Sequence, residues 1–289
     1  VPRNVCHDIA LSDDGNQLFA AFIGSSQDGS TSYIGKATYN NGVYTNWTTL
    51  VQTPPGVGGS AFNAIACSSN GSKLIAGSNG HFEVAVSKDS GNTWQVKSLP
   101  SDDFPSCFSL ASSYYGTRLV AASYWVGNGT AGYAYTSSNG GDTWTRLDQL
   151  QDSSGRQNWS AVTASRSADP NLDGKYIAVC SALYGAFDAT QIVRGDGYIY
   201  TSSDFGITWT KRTGAGARNW TSIASSWDGQ KIVASESRGA GFIYMSNDAG
   251  NTWTQIASAG LRTWTGVSCN STCTTIAACT NNGRIYVST

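Results

Sequence analysis

The sequence predicts an all-β chain folded as a six-bladed β-propeller whose last blade lacks its outer strand. Three observations predict it: a composition of strand and turn formers, an eight-residue segment that recurs four times, and a four-strand pattern around each recurrence. The chain has 289 residues, enough to bury a substantial core. Gly, Ser, Thr and Asn are plentiful beside Val, Ile, Tyr and Trp, whereas the helix formers Leu, Glu, Lys and Met are scarce.

The recurring segment is Ser87-Lys-Asp-Ser-Gly-Asn-Thr-Trp94, Ser137-Ser-Asn-Gly-Gly-Asp-Thr-Trp144, Ser202-Ser-Asp-Phe-Gly-Ile-Thr-Trp209 and Ser246-Asn-Asp-Ala-Gly-Asn-Thr-Trp253. Asp or Asn at its third position (Asp89, Asn139, Asp204, Asp248) can fold an oxygen back onto the turn's N–H groups. Gly two residues later supplies the positive φ of a tight hairpin. Ser and Thr satisfy the remaining polar groups of the turn. The closing tryptophan (Trp94, Trp144, Trp209, Trp253) anchors the turn in the apolar layer between neighbouring sheets. This is a structural device, not a catalytic one.

The rest of a blade repeats with it. In the fifth blade an inner strand (Asn219-Trp-Thr-Ser-Ile-Ala-Ser) meets the turn at Trp227-Asp-Gly-Gln, then Lys231-Ile-Val-Ala-Ser, a Gly-rich loop, and Gly241-Phe-Ile-Tyr-Met-Ser. Four short strands joined by small-residue turns make a propeller blade. Inner strands are expected to begin near Val5, Ala61, Ser106, Asn158, Asn219 and Thr263. These starts divide one propeller, residues 1–289, into blades at about 1–59, 60–105, 106–157, 158–218, 219–262 and 263–289. The first blade carries a degraded segment around Thr38–Gly42 that ends in Trp47. The last reaches Ser288-Thr289, where its own octapeptide should start, so its outer edge is open to a borrowed strand or to continuation in a longer chain.

Composition also excludes classes of function. Charged residues are 13% of the chain and the net charge is -1, which gives no footprint for nucleic acid or an anionic membrane. No apolar run is long enough to span a bilayer, so membrane insertion is not expected. The opening Val1-Pro2-Arg3-Asn4 reads as a processed start or a cut from a longer chain. With 7 cysteines, 2 histidines and no Cys-x-x-Cys pair, neither a metal site nor a cofactor is expected. Cys269 and Cys273, four apart across a predicted tight turn, could form a disulfide. Cys180 and Cys279 share one repeat column and Cys6 and Cys107 another, and all four also read as small buried hydrophobes. Six Asn-x-Ser/Thr sequons, at Asn46, Asn70, Asn128, Asn158, Asn219 and Asn270, are candidate glycosylation sites, Asn70, Asn128 and Asn270 in turns or loops.

The octapeptides resemble those of the Asp-box, or bacterial neuraminidase repeat, superfamily of propellers, which includes sialidases, xyloglucanase-type hydrolases and sortilin-type receptors. The resemblance covers nearly the whole chain and implies architecture, because one scaffold hosts many functions. The Arg-Ile-Pro motif, arginine triad and Tyr–Glu pair of sialidases are not matched: the early candidate is Val1-Pro2-Arg3-Asn4, and Arg3, Arg156, Arg218 and Arg262 recur at one blade position like a structural residue.

Ligand-binding residues are expected on loops opposite the octapeptide turns, where a rigid scaffold tolerates variation. The longest such loop, Ala182–Gly197, carries Tyr184, Asp188, Arg194 and Asp196; Tyr124 and Trp125 stand on another, and Arg156, Arg218, Glu236, Arg238 and Arg262 complete a polar rim. An exposed Asp–Arg mixture also reads as solvated ion pairs, and the aromatics as a roof on the core. His7 and Asp8 on the first inner strand read as channel or core residues.

The expected function is a non-enzymatic extracellular or cell-surface module for recognition or assembly. Its partners would be a glycan, a protein or copies of itself, polymerising through the incomplete blade. A lectin is the first alternative, with repeated pockets at Arg218/Trp220, Arg262/Trp264 and Arg156/Trp159. A glycan-active hydrolase or lyase using Asp188, Asp196 or Glu236 is the second.

Overall fold

Strands follow one another in the computed structural model, which describes residues 5–24, 32–52, 62–78, 83–100, 106–124, 132–150, 157–182, 197–237 and 239–288. They form β1 (Val5–Leu11), β2 (Gln17–Ile23), β3 (Tyr33–Asn40) and β4 (Val43–Gln52), then β5 (Phe62–Cys67), β6 (Leu74–Ser78), β7 (Glu83–Ser87) and β8 (Gln95–Ser98). A third set is β9 (Ser106–Ser112), β10 (Leu119–Tyr124), β11 (Ala134–Ser137) and β12 (Thr145–Arg146). The fourth is β13 (Trp159–Ala164), β14 (Ile177–Ser181), β15 (Ile199–Ser202) and β16 (Thr210–Lys211). The fifth is β17 (Trp220–Ser225), β18 (Ile232–Glu236), β19 (Ile243–Ser246) and β20 (Thr254–Gln255). The sixth has three strands, β21 (Trp264–Cys269), β22 (Ile276–Thr280) and β23 (Ile285–Ser288). Each set is one antiparallel sheet with strands in chain order, giving an all-β, six-bladed β-propeller.

The chain forms two compact units, Val1–Ala121 with Tyr135–Arg146, and Ala122–Ala134 with Leu147–Thr289. In the first, Phe19, Ala21 and Ile34 of the first sheet pack with Phe62, Ile65, Leu74 and Ala85 of the second, and Trp94 closes that layer. In the second, Ala178, Cys180 and Ile199 of the fourth sheet meet Trp220, Ile232, Ala234 and Tyr244 of the fifth. Val233 and Ile243 of the fifth sheet meet Trp264, Val267 and Ile276 of the sixth. Small residues on the middle strands let the layers approach, while the large rings fill what remains.

Two regularities are written in the backbone. The inner strands β1, β5, β13, β17 and β21 each carry a bulge just after their first residues, for example between Trp220 and Ser222 and between Trp264 and Gly266. The turns after these strands are linked by backbone hydrogen bonds: Asp13 donates to Ser69 O and Ser69 to Tyr114 O in the first unit, at 2.7 and 2.8 Å. In the second unit Arg166 donates to Trp227 O and Trp227 to Ser271 O, at 2.9 and 2.8 Å. Within each unit these bonds tie one sheet to its neighbour with no side chain involved.

Candidate functional site

The four octapeptides close into one hydrogen-bonded motif. The serine Oγ accepts the glycine N–H at 2.8–2.9 Å, and the Asp or Asn Oδ1 accepts the threonine N–H at 2.8–3.0 Å. Each tryptophan Nε1–H donates to the carbonyl of the same glycine at 3.0–3.2 Å. The threonine hydroxyl beside Asp248 and the turn N–H groups hold that carboxyl down at about 2. Every polar atom of the motif that carries these bonds is thus committed locally, which makes the turns architectural.

Of the predicted rim, Arg218, Glu236 and Arg262 lie among the described side chains. Arg218 and Arg262 each precede an inner strand by two residues, and each guanidinium lies 4.4 Å from the centroid of a tyrosine ring, Tyr244 and Tyr286 respectively. Arg218 Nε donates to Ala215 O at 2.9 Å, and Arg262 Nε to Ala259 O at 3.2 Å. Behind each tyrosine stands a fully buried tryptophan, Trp220 or Trp264, edge-on at 5.4 Å. The two copies differ in one respect. Arg218 Nη1 pairs with Glu236 Oε1 at 3.2 Å, and the Tyr244 hydroxyl donates to the same oxygen at 3.4 Å, whereas Thr280 holds the corresponding place opposite Trp264. Burial raises the Tyr244 phenol, with Arg218 opposing the shift and Glu236 adding to it.

In the fourth sheet the position two before the tryptophan is Gln157, fully buried, and not Arg156. The Arg156/Trp159 pairing therefore does not repeat the register of the other two. Arg156 itself, with Trp125, Tyr184, Asp188, Arg194, Asp196 and Arg238, lies outside the described residues, as does the side chain of Tyr124. Trp159, Trp220 and Trp264 are 0% exposed and offer no ring face to a sugar.

One concave site lies beside the sixth sheet, a cleft of about 280 Å³ whose walls include Ile243, Ile256, Ala259, Arg262, Trp264, Ile276, Ala278, Tyr286 and Val287. Sequence reasoning placed an open strand edge here but no cleft.

The sequons divide by exposure. Asn46, Asn70 and Asn270 are exposed; Asn158 is fully buried, so its amide has no outlet for a glycan; Asn219 is half-buried, its Nδ2 donating to Ser237 O. Asn128 lies outside the described residues. Cys269 and Cys273 are joined, their sulfurs 2.05 Å apart. Cys180 is fully buried against Ser160, and burial pushes its thiol up to about 12. Cys279 meets Thr265 in the same way at 3.4 Å, while Cys6 is exposed. No group of three or more His, Cys, Asp or Glu able to hold a metal ion occurs among the described residues. None of their helices is long and apolar enough to cross a membrane.

No family model and no curated protein matches the chain. Solved structures do match. The GH74 enzyme of Niastella koreensis is 18% identical with a TM-score of 0.68, covering 98% of this chain and 44% of that one. The chain therefore spans less than half of that enzyme. The RRP9 WD40 repeats are 12% identical with a TM-score of 0.67, covering 99% of this chain and 76% of that one. A chain of a nidogen/laminin complex is 13% identical with a TM-score of 0.58, covering 88% and 79%. At these identities the likeness is one of fold.

Proposed function

We propose that the chain is a secreted or cell-surface recognition and assembly module of the Asp-box propeller superfamily, non-enzymatic, that joins its partners by strand addition at the last blade. The observation that carries the reading is the outer edge of β23, where Ile285 is 74% and Val287 64% exposed and no fourth strand is paired among the described residues. Folded proteins blunt or cover apolar strand edges unless the edge is used, and an open edge offers a ready ladder of backbone groups to an incoming strand. The four octapeptide turns support the superfamily, and the exposed sequons at Asn46, Asn70 and Asn270 support an extracellular life. Glu236 is occupied by Arg218 and Tyr244, which favours a structural carboxylate over a catalytic one. The buried indoles of Trp220 and Trp264 weigh against sugar pockets repeated from blade to blade. Analytical ultracentrifugation over a concentration series tests the assembly reading. Species that grow with concentration are expected, and one monomeric boundary throughout would remove self-assembly.

A further inference from the structure

Two of the exposed sequons occupy one place in the blade, the turn after the inner strand: Asn70 follows β5 in the second sheet and Asn270 follows β21 in the sixth. In both, the amide oxygen closes the turn. Asn70 Oδ1 accepts the N–H of Ser72 at 3.0 Å and the hydroxyls of Ser68 and Ser72 at 3.0 and 2.7 Å. Asn270 Oδ1 accepts the N–H groups of Thr274 and Thr275 at 2.8 and 3.1 Å. The nitrogen is the spare end. None of the bonds of Asn70 uses its Nδ2, and Asn270 Nδ2 donates to Thr274 Oγ1 alone, at 3.0 Å. An N-linked sugar replaces one amide proton and leaves the oxygen and the other proton in place, so neither turn loses a bond.

The remaining described sequons differ at this atom. Asn158 is fully buried, and Asn219 donates from Nδ2 to Ser237 O with its Oδ1 also buried. Asn46 lies within β4 and turns its Nδ2 toward Thr38 Oγ1 at 3.5 Å. Asn158 and Asn219 also stand before their inner strands, at the end opposite the turns that hold Asn70 and Asn270. Those turns adjoin the octapeptides. In the second blade Ser90 N–H donates to Ser72 O at 2.8 Å. The turn of Asn270 is bonded through Ser271 O to Trp227 N–H, and the turn of Trp227 receives the octapeptide's Ala249 N–H at Gln230 O, 2.7 Å away.

We propose that Asn70 and Asn270 carry N-linked glycans and that Asn158 and Asn219 carry none, so that sugar covers the octapeptide side of the blades and leaves the opposite loops to partners. The inference rests on the extracellular reading above and adds which side of the blades is shielded. In the transfer, Nδ2 bonds to the anomeric carbon of a lipid-diphosphate-linked oligosaccharide as that carbon's bond to the diphosphate oxygen breaks. The proton leaves Nδ2 for a base of the transferase. The hydroxyl residue that completes each sequon is Ser72 or Thr272.

Peptide mapping by mass spectrometry, on the protein isolated from the cells that make it and from their medium, tests this. Sugar is expected on the peptides of Asn70 and Asn270 and on neither of those of Asn158 and Asn219. Asn70→Asp and Asn270→Asp keep the acceptor oxygen that closes each turn and remove the nitrogen that takes the sugar. Each variant, made in the same cells, should lose the mass of one glycan. A protein found outside the cell with Asn70 and Asn270 bare, or with sugar on Asn158 or Asn219, overturns the proposal and keeps the extracellular reading. Aspartate variants that lose no mass overturn it likewise. A protein confined to the cytosol overturns both.

Discussion

On the first inner strand Asp8 is half-buried, its Oδ2 accepting the N–H of Ile65 at 2.8 Å and its Oδ1 that of Ile9 at 2.9 Å. Ser222 does the same for Val267 N–H between the fifth and sixth sheets, at 3.2 Å, so a side-chain acceptor latches one inner strand to the next at this column. A carboxylate at this place loses more solvation on burial than a neutral hydroxyl does. Burial pushes Asp8 up to about 6, and the two N–H donors only partly oppose it. Between pH 4 and 6, roughly, the folded chain then keeps a proton that the unfolded chain has released. Its contribution to stability therefore falls as pH rises through that window and is level above it. Asp8→Asn, which keeps an acceptor without the charge, should flatten this part of a plot of melting temperature against pH; an unchanged slope would assign the dependence elsewhere. A second local cost sits at Ala249, held at φ 54° in the fourth position of its octapeptide, where the third blade has Gly140 at φ 69°. Ala249→Gly should stabilise the chain by about 0.5–1 kcal/mol, read as a shift of the urea midpoint at constant slope.

At the scale of the element, the octapeptide turn is stable because one buried hydroxyl answers several backbone groups. Ser246, 1% exposed, accepts the N–H of Gly250 at 2.8 Å and donates to Asp248 Oδ1 at 2.8 Å. Ser246→Ala leaves a buried N–H without its acceptor and should cost about 1–3 kcal/mol in urea unfolding. A loss well under that range would mean water replaces the hydroxyl. These turns were legible in the sequence because their bonds join residues within eight positions, each needing a particular side chain. The strand starts were legible for the same reason, and Trp159, Trp220 and Trp264 open strands within one residue of the expected sites. The bonds from Asp13 to Ser69 and from Trp227 to Ser271 were not, since they use backbone atoms that every residue carries. Nor was the register of Arg156: the repeat there is offset by one, and the buried Gln157 takes the position that the half-buried Arg218 holds in the next blade. The positive φ of Ser90, Phe205 and Ala249 was hidden too, because only Gly140 announces it by residue type.

For the molecule as a whole, the balance of forces on association follows from its charge. A net charge of -1 spread over 289 residues provides little repulsion between copies and little steering toward an ionic partner. Contacts through β23 would instead rest on backbone pairing and on apolar area, of which Ile285 and Val287 are the exposed part. Self-association should accordingly change little between low and high salt, since ionic screening acts on charges and not on buried apolar surface. Lysine on an open strand is the common natural guard against edge pairing. Because Ile285 is 74% exposed, Ile285→Lys removes no core contact of consequence while placing a charge where an added strand would lie. The variant should retain the wild-type melting temperature and sediment as a monomer at concentrations where the parent chain is assembled. If association instead collapses with added salt and Ile285→Lys assembles like the parent, an ionic surface elsewhere on the chain joins the copies and the edge of the sixth sheet does not.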